Sequence, residues 1–357
     1  MKKVAIVGSV GLPAKYGGWE TLVDHLTRRL SNSFELTVYC SAKKYPEQLT
    51  EYNGARLSYI NLDANGVQSI FYDLLSMLKA IRYADCVVVL GVSGCVFLPV
   101  IKLISCKKFI VNIDGLEWKR EKWSPFAKWF LKLSEIAAVR SADVIVADNQ
   151  AIQDYITTEY HRKSELIPYG GDHAVRPARN DEILSDYGLN KKKYAFKVCR
   201  IEPENNLDLI LRAFESYNAL DLVIVGNWGN SQYGVLLREK YDHLSHVHML
   251  DPIYDQKILN QLRSACYVYI HGHSAGGTNP SLVEAMSLGL PVVAFGCDFN
   301  QETTRGDALF FHSSADLVRI LEFLDDDLRA ANSRKMKKIA DKFYTWDKVS
   351  SLYAKLF

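Results

Sequence analysis

The sequence lacks several features that would place it in other classes of protein. Its 357 residues include only seven cysteines, scattered and never in a Cys-x-x-Cys pair, so neither a disulfide framework nor a zinc site is indicated. A strong charge of one sign is also missing. The formal net charge is +2, which argues against a general nucleic-acid-binding protein. Scattered thiols of this kind are typical of the reducing cytoplasm, so we expect a cytoplasmic protein.

Long uninterrupted apolar runs are absent as well. The longest, residues 86–105, is broken by Gly91, Gly94, Pro99 and Lys102, whereas a membrane span needs about 20 apolar residues. The apolar run at the amino terminus resembles a secretion signal but is too short and is punctuated by glycine. Both stretches are predicted to contain buried strands.

Apolar strand-like runs alternate with amphipathic helical stretches along the whole chain. Runs rich in Val and Ile favour parallel strands covered on both faces, and their alternation with helices predicts a doubly wound α/β fold. The predicted strands are 2–8, 34–40, 56–61, 86–91, 108–113, 143–147, 164–168, 194–199, 220–226, 246–250, 266–270, 291–295 and 308–311. A linker rich in Gly, Pro, Asp and Asn separates the halves. We predict two Rossmann-like domains facing a cleft, residues 1–172 and 173–342, with a helix over 343–357 that packs back on the first domain.

The first candidate site is the glycine loop of residues 8–20. A dinucleotide-binding fingerprint needs Gly-x-Gly-x-x-Gly and an acid about 20 residues further on. Here the spacing is Gly8-x-x-Gly11 and the second strand ends without an acid, so NAD binding is disfavoured. Gly17 and Gly18 stand just before a helix, where backbone N–H groups can face a phosphate or a sugar. A tight turn that merely requires glycine explains this pair equally well.

The second candidate site is the stretch 198–214. A predicted strand ends at Arg200, and a helix begins after Asn206. An arginine at the carboxyl end of a parallel strand points into the crevice where α/β proteins bind ligands, and a guanidinium clamps a diphosphate through paired hydrogen bonds. The alternative is a surface arginine paired with Glu202 or Glu204.

The third candidate site is a loop of small and polar residues before a helix predicted over 280–288. Free N–H groups at the start of this helix, together with its dipole, favour an anion. Glu284, one turn further in, is placed to accept hydrogen bonds from a ribose diol, or is simply a capping-type or exposed acid. The loop residues concerned are Gly276, Gly277, Thr278 and Asn279.

The sequence gives little support for a metal site. His246 and His248 share a strand face, as do His271 and His273, but no pattern of carboxylates accompanies them. The three aspartates 325–327 lie between two predicted helices and are read as capping and solvated residues. We therefore expect no metal, and we expect His271, His273 and Ser274 to line a donor-binding cleft.

Taken in order, these motifs resemble those of a known family. The segment SLVEAMSLGLPVVAF resembles LLEAMACGxPVI, RIEPENN resembles R-x-x-PEKN, and VNIDGLEWKREKW resembles HGLDWQREKW. All three are motifs of the retaining glycosyltransferases of family 4, which have the GT-B fold. Within that family the chain is most similar to bacterial capsule and exopolysaccharide rhamnosyltransferases. The resemblance implies that the first domain binds the acceptor and the second binds the nucleotide sugar.

The resemblance also implies a reaction. It is the metal-independent transfer of rhamnose from dTDP-β-L-rhamnose, in a β-1,4-rhamnosyltransferase-like reaction, to a lipid-diphosphate-linked saccharide. Arg200 and the loop amides would stabilise the leaving diphosphate, and that phosphate would take the acceptor's proton. A family member that uses a UDP- or GDP-hexose, and a non-catalytic nucleotide-sugar-binding protein, remain alternatives.

The chain departs from the family pattern at three positions. The family usually carries Glu-x7-Glu; Glu284 matches the second glutamate, but Gly276 occupies the place of the first. Asn205 replaces the family's lysine, and Asp114 stands where many relatives have histidine. Contacts to the sugar should therefore differ from those to a glucose-type donor, and a deoxysugar with fewer hydroxyls is one explanation. Asp114 would orient the acceptor hydroxyl or the donor sugar, or would serve only as a helix N-cap.

One predicted helix, over residues 121–140, interleaves Trp, Phe and Leu with Lys122, Lys128 and Lys132. This composition suits peripheral contact with an anionic membrane surface, such as the inner face of the cytoplasmic membrane. It also suits an ordinary amphipathic helix that covers a sheet.

Overall fold

The chain folds into two compact units. The computed structural model describes residues 1–15, 17–120 and 123–357. Unit 1 comprises Met1–Tyr169 and Trp346–Phe357, and unit 2 comprises Gly170–Thr345. The chain thus passes from unit 1 to unit 2 just before residue 172 and returns for its last helix.

Unit 1 is built on an eight-stranded sheet. Its elements are β1 (Lys2–Val7), α1 (Gly18–Leu30), β2 (Phe34–Ser41), β3 (Glu51–Tyr52), β4 (Ala55–Ile60), α2 (Gln68–Ala80), β5 (Cys86–Leu90), α3 (Leu98–Ile104), β6 (Lys108–Asn112), α4 (Pro125–Ser141), β7 (Val144–Ala147), α5 (Gln150–Tyr160) and β8 (Glu165–Leu166). Short 3₁₀ turns precede α3 (Cys95–Phe97) and α4 (Glu117–Lys119). The strand order is β3-β4-β2-β1-β5-β6-β7-β8. All pairs are parallel except β3 with β4.

Strand β3 is the one element of this sheet that the sequence analysis missed. It forms a hairpin with β4 through Asn53 and Gly54, which both have positive φ (49° and 73°). The Asn-Gly dipeptide is a strong signal for such a turn, but a strand of two residues is too short to show an alternating pattern.

Unit 2 contains a six-stranded, wholly parallel sheet. Its elements are α6 (Asp181–Asp186), β9 (Tyr194–Val198), α7 (Leu207–Ser216), β10 (Asp221–Val225), α8 (Gln232–Tyr241), β11 (Val247–Leu250), α9 (Gln256–Ser264), β12 (Val268–His271), α10 (Pro280–Ser287), β13 (Val292–Phe295), α11 (Asp298–Thr304), β14 (Leu309–Phe311), α12 (Ser314–Phe323) and α13 (Asp326–Phe343). The strand order is β11-β10-β9-β12-β13-β14, which is the doubly wound Rossmann order. The predicted α/β fold of two Rossmann-like domains is confirmed.

The last helix, α14 (Trp346–Leu356), packs on unit 1. Trp346 is fully buried, stacks on His25 at 4.2 Å between ring centroids, and meets Tyr169 edge-on at 4.8 Å. Further along, the Tyr353 hydroxyl accepts a hydrogen bond from Asn112 Nδ2 at 3.0 Å. Burial of two large aromatic rings fixes the helix on this unit.

Each sheet has one point where the direction of strand addition reverses. In unit 2 this switch point lies between β9 and β12, and in unit 1 it lies between β1 and β5. Open α/β sheets bind ligands outside the carboxyl ends of the strands at such a point. The loops after β9, β12, β1 and β5 are therefore the places to look for function.

None of the helices in the described ranges is both long enough and apolar enough to cross a bilayer.

Candidate functional site

Two loops at the switch point of unit 2 are joined by hydrogen bonds. Asn206 Nδ2 donates to the Gly272 carbonyl at 2.7 Å, and the Ser274 amide donates to the Glu204 carbonyl at 2.8 Å. A Cβ at Gly272 would overlap the carbonyl of Asn205, so this close approach requires glycine. The loop after β9 and the loop after β12 thus form one continuous surface.

Arg200 lies on this surface with its side chain exposed. Among the residues that the structure describes, none forms an ion pair with its guanidinium, so the predicted alternative pairing with Glu202 or Glu204 is not found. Asn205 is buried, and its Nδ2 donates to the Arg200 carbonyl at 2.9 Å. Asn205 therefore fixes the backbone that carries Arg200; a direct contact of Asn205 with a diphosphate stays a prediction.

The loop after β12 leads directly into α10. Asn279 is the N-cap of this helix, and its Oδ1 accepts from the Ser281 amide at 3.1 Å and from the Ser281 hydroxyl at 2.8 Å. Its side chain is thus used for capping, which leaves its backbone N–H for the predicted anion contact. Gly276 has φ +99°, Thr278 is buried, and Gly277 is half-buried. The positive φ commits position 276 to glycine.

Glu284 is held by an arginine and a histidine that the sequence analysis did not identify. Its Oε1 accepts from His173 Nε2 at 3.1 Å, and its Oε2 is bound by Arg263 Nη1. Burial raises the pKa of Glu284, but the charge of Arg263 and the hydrogen bond from His173 outweigh it and lower the pKa to about 2. The carboxylate is ionised at neutral pH, and each oxygen keeps a lone pair for a hydroxyl donor.

The sequence signal for this group of Glu284, Arg263 and His173 lies in α9. Arg263 is 1% exposed although it belongs to the helical sequence QKILNQLRS. It follows Leu259 by four residues, which places it on the apolar face of an amphipathic helix. A cation on such a face implies a buried acidic partner.

His271 ends strand β12 and is buried in the protein. It is 1% exposed, and within the described part of the chain neither ring nitrogen has a hydrogen-bond partner. Burial, and then the charges of Lys197 and His273, hold the pKa of His271 well below its usual range, so the ring is neutral. A neutral imidazole donates one hydrogen bond and accepts another. Such a buried, unsatisfied ring next to the loop fits a ligand with hydroxyl groups.

In unit 1, the glycine loop is organised by a carboxylate that the sequence analysis did not foresee. Gly17 is the N-cap of α1 with φ +139°, and a Cβ there would overlap the Glu20 carboxylate. Glu20 is buried, and its Oε1 accepts from the Val10 amide at 2.7 Å. Burial raises the pKa of Glu20, although the hydrogen bond from Val10 opposes this. The carboxylate of Glu20 therefore lies beside Gly17 at the start of α1. A contact of Gly17 and Gly18 with a phosphate or sugar stays a prediction.

Asp114 follows β6 in a backbone conformation that is uncommon for a residue with a side chain. Its φ is +61°, and its amide donates to Asn112 Oδ1 at 3.1 Å. Because Asn112 also donates to Tyr353, the loop of Asp114 is tied to α14. The N-cap alternative is wrong, since Ser124 caps α4 and Leu116 precedes the 3₁₀ turn. A strained, half-buried acid after a central strand is consistent with a functional role.

The turn after Asp114 is fastened to α4 by a buried acid. Glu135 is 1% exposed, and its Oε2 accepts from Trp118 Nε1 at 3.0 Å. Lys132 pairs with Glu135 at 3.2 Å and lies 4.7 Å from the Trp118 ring centroid. Lys132 is therefore a partner of Glu135, as the covering-helix alternative allows, rather than a cation left free for a membrane surface. Lys122 lies outside the described residues.

His246 and His248, which were expected to share a strand face, contact different groups. His246 Nε2 contacts the Phe214 carbonyl at 2.9 Å, and His248 Nε2 contacts Asp221 at 2.7 Å. Over residues 1–15, 17–120 and 123–357, no group of three or more His, Cys, Asp or Glu side chains is arranged to hold a metal ion. Metal independence remains a prediction.

The two halves of the sequence match two domain families. Residues 180–342 match the family of glycosyl transferases group 1, and residues 1–172 match a domain of unknown function, DUF1972. No curated protein matches the sequence. Unit 2 thus carries a group 1 glycosyltransferase domain, and the matches support a family 4-type glycosyltransferase.

Solved structures with the GT-B fold resemble the whole chain. Sucrose-phosphate synthase from Thermosynechococcus elongatus has 15% identity and a TM-score of 0.83, covering 100% of this chain and 98% of that chain. Anabaena HepE in complex with UDP-glucose has 17% identity and a TM-score of 0.78, covering 99% and 98%. Trehalose-6-phosphate synthase OtsA has 11% identity and a TM-score of 0.73, covering 100% and 99%. These similarities confirm the predicted GT-B fold.

Proposed function

We propose that this protein is a retaining, metal-independent glycosyltransferase that moves L-rhamnose from dTDP-β-L-rhamnose to a lipid-diphosphate-linked saccharide during capsule or exopolysaccharide assembly. The observation that carries the transferase part is the exposed guanidinium of Arg200. It shares the switch point of a group 1 glycosyltransferase domain with the N-terminus of α10. Nothing in the described protein neutralises this cation, so a ligand anion is its natural partner.

The chemistry needs stabilisation of a leaving diphosphate. Negative charge grows on the diphosphate while the anomeric carbon becomes cationic, and donors placed in advance lower the barrier. Arg200 and the amides of Thr278 and Asn279 are the proposed donors. With a dTDP donor, the ionised Glu284 accepts a hydrogen bond from the 3′-hydroxyl of the deoxyribose, and the leaving phosphate takes the proton of the acceptor hydroxyl. No strong protein base is needed on this route.

The proposal of a deoxysugar rests on Gly276. This position would carry the family's first glutamate, but its φ of +99° favours glycine. The site therefore offers the sugar one carboxylate fewer, while the neutral ring of His271 lies next to the same loop. A sugar with fewer hydroxyls suits such a site, because a buried sugar hydroxyl left without a protein acceptor weakens binding.

The acceptor is proposed to meet unit 1. Asp114, held by Asn112, orients the acceptor hydroxyl or the transferred sugar. A lipid-linked acceptor would bring the protein to the cytoplasmic face of the membrane.

A UDP-hexose is the second candidate donor. HepE, which shares the fold, has been solved in complex with UDP-glucose. Glu284 would serve a UDP ribose and a GDP ribose equally well, so the ribose contact alone does not favour dTDP, which lacks the 2′-hydroxyl.

Calorimetric titration with dTDP, UDP, GDP, ADP and NAD, first without metal and then with magnesium, tests the proposal. We expect metal-independent binding with a preference for dTDP, followed by turnover of dTDP-rhamnose with a lipid-linked acceptor. A preference for UDP or GDP would retain the transferase and reject the rhamnosyl donor. Absence of binding to any nucleotide would reject the transferase function.

A further inference from the structure

Large exposed apolar side chains are concentrated in one part of unit 1. Across the described residues, ten of the seventeen such side chains lie between positions 67 and 133. They are Val67, Phe71, Leu75, Tyr83, Val100, Leu103, Ile104, Phe126, Trp129 and Leu133. Leu103 is 85% exposed and Phe126 is 73% exposed. Single exposed apolar residues are ordinary, but a concentration of this kind marks an interaction surface.

Eight of these ten side chains belong to α2, α3 and α4, and these helices lie on the same face of the sheet. Connections β4 to β5, β5 to β6 and β6 to β7 all advance in one direction along the strand order, and α2, α3 and α4 are their crossover helices. Because parallel crossovers are right-handed, helices that advance in one direction cover one face. Helix α2 touches the 3₁₀ turn before α3, and α3 packs against α4. The exposed stripes are therefore neighbours.

These three helices present cations but no exposed acid. All of their residues are described, and their two carboxylates, Asp73 and Glu135, are 3% and 1% exposed. Lys79 and Arg140 are exposed, and Lys128 is half-exposed. The surface thus combines apolar stripes with net positive charge, which is the composition of a helix surface that lies in the interface of an anionic bilayer.

We propose that α2, α3 and α4 form a docking surface for an anionic lipid bilayer, with Phe71, Leu75, Leu103, Ile104, Phe126 and Trp129 as the side chains that enter the interface. This inference deepens the proposed function, because it supplies the surface by which unit 1 would meet a lipid-linked acceptor. A second copy of the chain fits less well, since a symmetric contact would bring together two surfaces of the same positive charge, each with Lys79, Lys128 and Arg140.

The test is flotation of the full-length protein with vesicles of phosphatidylcholine alone and of phosphatidylcholine with phosphatidylglycerol. The wild type is expected to float with the anionic vesicles. The triple variant Leu103→Gln, Phe126→Gln, Trp129→Gln should lose affinity by about tenfold or more, because three apolar side chains no longer leave water. The matched control Leu236→Gln, Tyr254→Gln, Phe323→Gln changes three exposed apolar residues of unit 2. It should float like the wild type.

Three outcomes would overturn the proposal. The first is that neither vesicle recovers the wild type, and the second is that the triple variant floats as well as the wild type. In the second case Lys337→Glu, Lys338→Glu, in the basic groove of unit 2, would identify another lipid contact. Thirdly, light scattering could show a wild-type dimer that the triple variant dissociates, without vesicle binding. Nucleotide titration of the same wild-type sample distinguishes this proposal from the proposed function. Flotation without nucleotide binding would reject the transferase. Nucleotide binding without flotation would reject only the docking surface.

Discussion

Each unit places a glutamate at the carboxyl edge of its sheet, half-buried in unit 2 and buried in unit 1, and the two are held in opposite ways. Glu284 of unit 2 has a buried arginine and a histidine as partners, and its pKa falls to about 2. Glu20 of unit 1 has the Val10 amide, and burial raises its pKa. Unit 2 thus keeps a fixed negative charge beside its ligand loop, whereas unit 1 uses an acid that resists ionisation to hold a loop together.

The two glutamates also have opposite effects on stability as pH changes. Glu284 has a folded-state pKa below its ordinary value, so its contribution is present above about pH 4.5 and is lost as pH falls towards 2. Glu20 has a raised folded-state pKa, so its contribution is present at low pH and is lost as pH rises through that pKa. Acidification therefore reduces the contribution of Glu284 to folding stability and increases the contribution of Glu20.

The largest effect is expected from Arg200→Ala, which tests whether unit 2 stabilises the negative charge of a diphosphate through the Arg200 guanidinium. Loss of one preorganised donor to a developing anion costs about 2.7–4 kcal/mol, or roughly 10²–10³ in kcat. The melting temperature should stay unchanged, because the side chain is exposed. Steady-state kinetics and thermal unfolding measure both. Arg319→Ala, at an arginine whose side chain is 69% exposed, is the control and should leave both values intact. If Arg200→Ala kept near wild-type turnover, Arg200 would not stabilise the leaving diphosphate and the proposed diphosphate site in unit 2 would be wrong.

The next effect is on stability and concerns Glu284→Gln. Breaking the pair leaves the cation of Arg263 buried, which costs on the order of 3 kcal/mol. Urea unfolding at pH 7 measures the loss. The wild type should itself lose stability between about pH 4.5 and pH 2, and the variant should lack this part of the pH dependence.

A double variant separates the pair from its surroundings. Arg263→Met together with Glu284→Gln removes both charges, so it should be more stable than Glu284→Gln alone. If the stability loss of the double variant equalled the sum of the losses of the two single variants, Arg263 and Glu284 would not be energetically coupled, and the ion pair would not stabilise this part of unit 2.

Much of the fold and part of the site were predictable from the sequence. Strands such as β5, with its sequence CVVVL, are buried on both faces, so their apolar runs are unbroken. The positions of Arg200 and Asn279 were predictable because each stands at a fixed offset from a strand or a helix start; their contact with a diphosphate stays a prediction.

The supporting residues were not predictable, because their roles depend on distant partners. Arg263 meets Glu284 across 21 residues, and Asn112 meets Tyr353 across 241 residues. Local periodicity and spacing carry no information about such pairs. The N-cap interpretation of Asp114 failed for a related reason: the chain continues beyond it through a separate 3₁₀ turn before α4 begins.

A smaller effect is expected in unit 1 from Tyr353→Phe. Asn112 loses the partner of its Nδ2, which costs about 1 kcal/mol, and the loop of Asp114 becomes less well positioned. We expect kcat to fall severalfold while nucleotide affinity, which we propose to be a property of unit 2, stays constant. Tyr344→Phe is the matched control, because this buried hydroxyl donates to the Thr303 carbonyl within unit 2. It should cost similar stability without the fall in kcat. Equal kinetics in the two variants would show that the link from Asn112 to Tyr353 is only structural.

The smallest effect, and the one that sharpens the comparison most, is expected from Glu20→Gln. Glutamine keeps an oxygen for the Val10 amide but cannot ionise, so the variant should match the wild type near pH 4 and gain slightly on it as pH rises. Glu20→Ala removes the acceptor and should lose about 1 kcal/mol at every pH, because the buried amide is left unsatisfied. Urea unfolding across pH 4 to 8 measures both variants. A wild type that gained stability over Glu20→Gln with rising pH would mean that Glu20 is held by charge, as Glu284 is, and the contrast between the two edges would disappear.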